Sequence, residues 1–202
     1  MMRTFSQITS HLFNPLFMPL AGTVAYYLVS PKYNAPEVKK SIIFAILIVT
    51  IAIPILFFFL LKNLGWVSDS DLSKTKERRL PLLIFIILNY ITIIKILPNS
   101  ASSELNFFFV GIIGALIACL IMVFLKFKAS MHMIGISGLT TFIFGLAVHY
   151  EINITLALAG LVLVSGAIAT SRLYLKNHDG PEIIAGILLG ALPQFITFTY
   201  WL

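Results

Sequence analysis

The chain has 202 residues, of which 59% are hydrophobic and 11% are charged, and its formal net charge is +6. Soluble domains carry about 25% charged residues, so this composition excludes an ordinary soluble protein and predicts an integral membrane protein. In a membrane protein a net positive charge indicates basic cytoplasmic loops and contact with anionic lipid headgroups. It does not indicate a nucleic-acid partner. The single cysteine, Cys119, excludes an internal disulfide and gives no zinc or redox signal.

Apolar runs of about 20 residues, the length that crosses a bilayer as a helix, recur along the chain. The short alternating strands of a membrane barrel are absent from the sequence. We therefore predict one all-α domain, residues 1–202, built as a polytopic bundle of six to seven transmembrane helices. The predicted spans are residues 12–29, 41–61, 80–97, 105–124, 130–150, 152–173 and 181–202.

The first span should begin irregularly, because Asn14, Pro15 and Pro19 interrupt a regular helix. Residues 1–11 before it are expected to form a short polar start. The third and fourth spans should form a hairpin through Pro98-Asn99-Ser100. Polar segments separate the other spans: residues 30–40, 62–80, 125–131, 148–152 and 172–180.

A basic segment, residues 74–81, precedes the third span and offers several cations to a phosphate. Arg79 is the preferred phosphate ligand and Arg78 the alternative, while Lys74 or Lys76 can supply a further charge. The alternative interpretation is a basic loop that binds anionic lipid without any chemistry.

Lys128, Ser130 and His132 lie at the start of the fifth span. Ser130 can cap this helix, and its hydroxyl and the nearby N–H groups can hold phosphate oxygens. Lys128 is a further candidate ligand for the phosphate. His132 lies one turn into the helix, where it can act as a general acid. A histidine that simply forms a hydrogen bond at a helix end is the alternative.

The hinge between the sixth and seventh spans places His178 just before a helix start. Asp179 or Gly180 can cap the seventh helix, and Pro181 suits its first position. Free N–H groups and the helix dipole make such a position attractive to a phosphate.

Glu182 and Arg172 complete the chemistry of this hinge. Glu182, in the first turn of the seventh helix, can accept the second ring N–H of His178. Arg172 offers a planar fork to phosphate oxygens. An imidazole that is oriented by a carboxylate beside a bound phosphate is a typical nucleophile, although an ordinary charged loop is the simpler alternative.

These segments resemble the signature motifs of the type 2 phosphatidic acid phosphatase superfamily. Residues 171–190 are similar to the third motif, although the acid, Glu182, is usually Asp in that family. Residues 129–132, Ala-Ser-Met-His, keep the Ser and His of the second motif, Pro-Ser-Gly-His. Residues 74–81 are a loose counterpart of the first motif, in which six residues lie between a Lys and an Arg-Pro pair.

The resemblance implies a lipid phosphatase that uses no metal and no cofactor. His178 would form a phosphohistidine, His132 would protonate the leaving group, and the cations would hold the phosphate oxygens. The implied substrates are phosphatidic acid, phosphatidylglycerol phosphate, a polyprenyl diphosphate or a lipid A phosphate, and membrane lipids are the surrounding partners. The implied location is a cell membrane, the inner membrane of a bacterium.

Two other functions stay open on the sequence. The phosphoryl group on His178 could pass to an acceptor other than water, or the chain could bind or transport a lipid phosphate without chemistry. Asp69 and Asp71 suggest the Mg²⁺-dependent loops of prenyltransferases, but the pair is isolated and such loops carry more acids.

The orientation in the membrane also stays open. With seven spans, the three motif-bearing segments and the N-terminus share one face, which carries ten of the 14 Lys and Arg residues. The positive-inside rule would place that face in the cytoplasm. A phosphate site on the same face also demands cations, however, so the count does not decide the matter.

Overall fold

The computed structural model describes residues 2–69, 72–97 and 103–202. Within those ranges the regular secondary structure is helical and contains no strand. Asp71 and the predicted hairpin link Pro98-Asn99-Ser100 lie outside the described residues.

Nine α-helices are found in the described part of the chain. They are α1 Met2–Leu12, α2 Met18–Val29, α3 Pro36–Leu47, α4 Ile53–Asn63, α5 Arg79–Ile91, α6 Ser103–Phe124, α7 Met131–His149, α8 Thr155–Tyr174 and α9 Gly180–Phe198. A π-helical segment, Ile48–Ala52, joins α3 to α4 without a break, and another, Thr92–Ile96, extends α5.

Seven helical segments are long and apolar enough to cross a membrane, which confirms the predicted all-α polytopic bundle. The segments are Met2–Val29, Pro36–Asn63, Thr75–Ile96, Ser103–Phe124, Met131–His149, Thr155–Tyr174 and Gly180–Phe198. The chain is therefore a multi-pass membrane protein.

The short polar start predicted for residues 1–11 is helical and forms α1, Met2–Leu12. This helix is amphipathic: Met2, Phe5, Ile8 and Leu12 are exposed, whereas the polar residues of the opposite side, Ser6, Thr9 and Ser10, are buried against the bundle. A polar inner side and an apolar outer side suit a helix that borders lipid and packs on a polar site.

The predicted irregularity after this helix is confirmed. Asn14 leaves the helical conformation, and its side-chain oxygen accepts a hydrogen bond of 3.0 Å from the Leu16 N–H. The short 3-10 turn Pro15–Phe17 then leads into α2. The break sets α1 apart from α2, so that α1 packs against α8 while α2 packs against α7.

The helix α7 is the most buried of the spans, and it packs against α2, α6, α8 and α9. Its aromatic contacts include Phe142, whose ring stacks on Phe108 of α6 with 4.2 Å between the centroids. The central position of α7 puts the residues at its N-terminus, Ser130 and His132, inside the bundle rather than at its edge.

Two glycines let α9 approach α7 closely, since small residues at an interface allow two helix backbones to come near each other. A Cβ at Gly190 would overlap the Ile134 carbonyl oxygen, and one at Gly186 would come within 2.7 Å of the Ser130 carbonyl oxygen. At the end of this contact the Ser130 N–H donates to the Glu182 carbonyl oxygen at 3.1 Å. The packing therefore brings the second and third motifs together.

Candidate active site

A cavity of about 360 Å³ opens at the end of the bundle where the three motif-bearing segments meet. Arg78, His132, Arg172 and His178 line it together. They come from the turn before α5, the start of α7, the end of α8 and the link to α9, so the helix packing assembles residues that are far apart in sequence.

The link between α8 and α9 holds His178 between two closed helix ends. The Asn177 N–H donates to the Arg172 carbonyl oxygen at 3.1 Å, which ends α8. The Asp179 side chain then accepts from the Glu182 N–H at 3.0 Å and caps α9, as the sequence predicts. Because both ends are fixed, the position of the imidazole is fixed with them.

The His178 ring is paired with Glu182 as the four-residue offset predicts. Its Nδ1 lies 2.6 Å from Glu182 Oε2, and the histidine side chain is only 1% exposed. A carboxylate only accepts hydrogen bonds, so the Nδ1–H must be the donor. In the neutral ring this leaves the lone pair on Nε2, the tautomer that a nucleophile requires.

The surroundings favour the neutral form of this ring. Burial lowers the pKa of His178 to about 3, and the nearby charges of Arg172, Arg78 and Lys128 act in the same direction. The Glu182 carboxylate pulls the pKa the other way, but burial and three cations outweigh it. The imidazole is therefore unprotonated on Nε2 at neutral pH.

Arg78 and Arg172 are the buried cations at the cavity wall, at 1% and 2% exposure. Arg78 donates from Nε to the Leu72 carbonyl oxygen at 2.9 Å and from Nη1 to the Ala129 carbonyl oxygen at 2.7 Å. These bonds hold the guanidinium plane in place. A fixed, desolvated guanidinium interacts strongly with an anion, because little solvent screens it.

The sequence favours Arg79 as the phosphate ligand, but the structure places its neighbour Arg78 at the cavity instead. Arg79 does not line the cavity, and its guanidinium lies over the Phe124 ring, 4.8 Å from the centroid. Successive residues of a helix point about 100° apart, so only one of the pair faces inward, and that residue is Arg78. Lys74 is also outside the cavity, 70% exposed and 3.0 Å from Glu77 Oε1.

Ser130 lies at the predicted position before α7, but its hydroxyl does not cap the helix. The residue is fully buried, and its Oγ has no hydrogen-bond partner among the described residues. Leaving a buried hydroxyl unsatisfied costs about 1–3 kcal/mol. Ser130 does not line the cavity, so its hydroxyl lies behind the wall that His132 forms.

His132 is held by a helix that the sequence analysis did not foresee. Its Nε2 lies 3.0 Å from the Ser10 carbonyl oxygen of α1, and the ring is largely buried. The carbonyl oxygen accepts, so Nε2 carries a proton in this contact. The signal that was missed is the polar side of residues 2–12, where Ser6, Thr9 and Ser10 recur at helical spacing.

Lys128 ties two of the motif-bearing segments together. Its Nζ donates to the Asn177 carbonyl oxygen at 2.9 Å. Burial lowers the pKa of Lys128, the charges of Arg78 and Arg172 lower it further, and Glu182 opposes them. Lys128 does not line the cavity, so it acts on the site through its charge and by holding the hinge.

No group of three or more His, Cys, Asp or Glu side chains that could hold a metal ion occurs in residues 2–69, 72–97 and 103–202. The Asp69 side chain accepts hydrogen bonds from the backbone N–H and the hydroxyl of Ser73, which is a turn-stabilising arrangement.

Comparison of the chain with protein-family models, with characterised proteins and with solved structures finds no match.

The shifted pKa of His178 predicts an acid-sensitive contribution to stability. Because the folded pKa of about 3 lies below the ordinary value of 6.5, the stabilisation is complete above pH 6.5 and is lost as the pH falls towards 3. We expect thermal unfolding of the purified protein to be less sensitive to acid in His178→Gln than in the wild type.

The matched control for this measurement is His11→Gln, which changes an exposed histidine. It should keep the wild-type dependence of unfolding temperature on pH. If the unfolding temperature fell equally steeply between pH 7 and pH 4 in the wild type, His178→Gln and His11→Gln, the buried neutral state of His178 would be contradicted.

Proposed function

We propose that the protein is a metal-independent lipid phosphatase of the type 2 phosphatidic acid phosphatase kind. It would hydrolyse a phosphomonoester or diphosphate of a membrane lipid through a phosphohistidine. The observation that carries this proposal is the 2.6 Å contact of His178 Nδ1 with Glu182 beside two buried arginines. A neutral, oriented imidazole next to buried cations is suited to attack an anionic phosphate and is hard to explain as a purely structural feature.

The first chemical step is an in-line displacement at phosphorus. The Nε2 lone pair of His178 forms the P–N bond while the P–O bond to the lipid alcohol or phosphate breaks. His132 starts this step as imidazolium, gives its Nδ1 proton to the departing oxygen and becomes neutral. The positive charge that develops on the His178 ring is stabilised by Glu182, whose carboxylate lies on the opposite ring nitrogen.

The second step regenerates the enzyme. Water attacks the phosphohistidine, its proton passes to His132, and inorganic phosphate leaves as the P–N bond breaks. In both steps Arg78 and Arg172 hold the equatorial oxygens, where negative charge is concentrated in the transition state.

The walls of the cavity support a lipid as the substrate. Away from Arg78, His132, Arg172 and His178 the lining is dominated by Phe, Leu, Ile and Pro side chains of several helices, which suits a phosphate that is attached to hydrocarbon. Phosphatidic acid, phosphatidylglycerol phosphate, polyprenyl diphosphates and lipid A phosphates all have this chemistry. The inner membrane of a bacterium is the location that we propose for the reaction.

The direct test is release of inorganic phosphate from a panel of these lipid phosphates by the purified protein in EDTA. We expect turnover of at least one substrate, and its complete loss in His178→Ala because no covalent intermediate can form. His11→Ala, which changes an exposed histidine, should retain the wild-type rate. A protein that binds the lipids without releasing phosphate is a binder or transporter, and activity that returns only with Mg²⁺ would refute the mechanism.

The two histidines should respond differently to the leaving group. p-Nitrophenolate departs with little protonation, so His132→Ala should recover much of its rate on p-nitrophenyl phosphate while remaining slow on a lipid phosphate. His178→Ala should be inactive on both substrates. Steady-state phosphate release measures this, and equal losses for both variants on both substrates would show that the assigned roles are wrong.

The adjacent arginines give a matched pair of substitutions. Removing one preorganised donor from a transition-state site costs about 10²–10³-fold in kcat, so Arg78→Gln should lower phosphate release to that extent. Arg79→Gln loses only a stacking contact with Phe124, and its rate should stay within about threefold of the wild type. The unfolding temperature of each variant shows whether a loss of rate merely reflects loss of the fold, and a larger effect on rate from Arg79→Gln would reverse the assignment.

A further inference from the structure

The cavity continues from its polar end into a long apolar chamber. Side chains of α4, α5, α6 and α7 line this part, among them Phe58, Leu82, Leu116 and Leu139. The deepest lining residues are Phe108 of α6 and Gln194 of α9. With a rise of about 1.5 Å per residue along α9, Gln194 lies roughly 20 Å from the start of that helix beside His178.

The deep end of the chamber is closed. Gln194 Nε2 donates to the Phe108 carbonyl oxygen at 3.0 Å, which joins α9 to α6 across the end. The Phe108 ring stacks on Phe142, and its edge fills the space that a side chain at Gly22 would need. Phe108 and Gln194 are each 1% exposed, so these contacts form a packed floor rather than a gap.

The side wall of the chamber borders the surrounding bilayer. Ile55, Phe57 and Phe59 of α4 line the cavity and are 38%, 40% and 55% exposed. The segment that contains α4 is the most apolar of the spans and is largely unburied. A hydrocarbon chain can therefore reach the chamber from the side, without passing through water.

We propose that the chamber holds one hydrocarbon chain of the phosphorylated lipid and limits its length. This inference rests on the proposed function, because the phosphate of the same molecule occupies the polar end at Arg78, Arg172 and His178. The charge at one end and the apolar wall beyond it match an anionic head on a hydrocarbon chain. The volume of about 360 Å³ is near the lower end of ligand pockets, which range from about 300 to 1,000 Å³, so one chain fits rather than two.

The depth of the chamber sets the expected chain length. An extended chain advances about 1.2 Å per bond, so a depth of roughly 20 Å takes about 16 carbons before the chain meets the floor. Each methylene that enters the chamber from water should strengthen binding by up to about fourfold. Beyond the floor, added methylenes should bring no gain.

Ala115 offers a way to shorten the chamber. Its side chain lines the cavity on α6, nearly halfway along the helix from the end at Phe124, and Ala115→Leu would fill the space beside it. Ala118→Leu is the matched control, because Ala118 lies one turn away on the same helix and does not line the cavity. Leu116→Phe is a second narrowing variant, with the exposed Ile117→Phe as its control.

The experiment measures thermal stabilisation of the purified full-length protein by non-hydrolysable alkyl phosphonates of about 4 to about 20 carbons. In the wild type the stabilisation should rise with length and level off near 16 carbons. In Ala115→Leu it should level off at about 11 carbons, because the filled position lies roughly 14 Å from the polar end. Prenyl phosphonates of matched length, run in parallel, show whether the chamber prefers straight or branched chains.

The outcomes separate this inference from the proposed hydrolysis. A shorter length limit in Ala115→Leu than in the wild type supports the chamber, even if no lipid phosphate is hydrolysed. If Ala115→Leu does not fold, a shorter length limit in Leu116→Phe gives the same support. Hydrolysis without any length limit supports the phosphatase and overturns the chamber. The same length limit in the narrowing variants and in the wild type, or equal shortening in the control variants, also overturns it.

Discussion

The close contact between α7 and α9 is the constraint on which the rest of the site depends. Gly186 and Gly190 leave no side chain between the two helices, so the backbone of α9 lies directly against Ser130 and Ile134. Small residues at a helix interface are the usual means of close approach in a membrane, where the hydrophobic effect does not drive helices together. Here the approach has a second consequence, because it aligns the two helix starts that carry His132 and Glu182. A wider separation would remove the hydrogen bond between Ser130 and Glu182.

The site holds several cations and a neutral histidine in one buried place. Charges that are taken out of water repel each other strongly, and the structure meets this cost in different ways for different groups. Arg78 is stabilised by backbone carbonyl oxygens, Lys128 by the Asn177 carbonyl oxygen, and His178 avoids a further positive charge by remaining neutral. An arriving phosphate would compensate the remaining positive charge. The arrangement is therefore costly when empty and favourable when an anion is bound, as expected of a binding or catalytic site rather than of a structural ion-pair network.

The polar end and the apolar chamber form one continuous space. Residues at helix ends, where charged side chains can be accommodated, line the polar end. Aromatic and aliphatic side chains from helix interiors line the chamber, so the two parts together would suit an amphiphile. The amphipathic helix α1 adds a contact at the junction, since its polar side covers His132 while its apolar side faces outward. Its place at the site explains why polar residues occur on the inner side of an otherwise apolar bundle.

The sequence by itself determined the all-α, multi-pass class of the protein and the local pairing of His178 with Glu182. Hydropathy follows directly from composition, and the pairing of His178 with Glu182 follows from an offset of four residues next to a helix cap. Only the tertiary structure decided which of Arg78 and Arg79 faces the cavity, because this depends on how α5 is rotated against its neighbours. It likewise decided that Lys74 points away, that Ser130 leaves its hydroxyl unused, and that α1 reaches His132. The rotation of α5 and the contact of α1 with His132 depend on packing between segments that are distant in the chain, and local patterns carry no information about such packing.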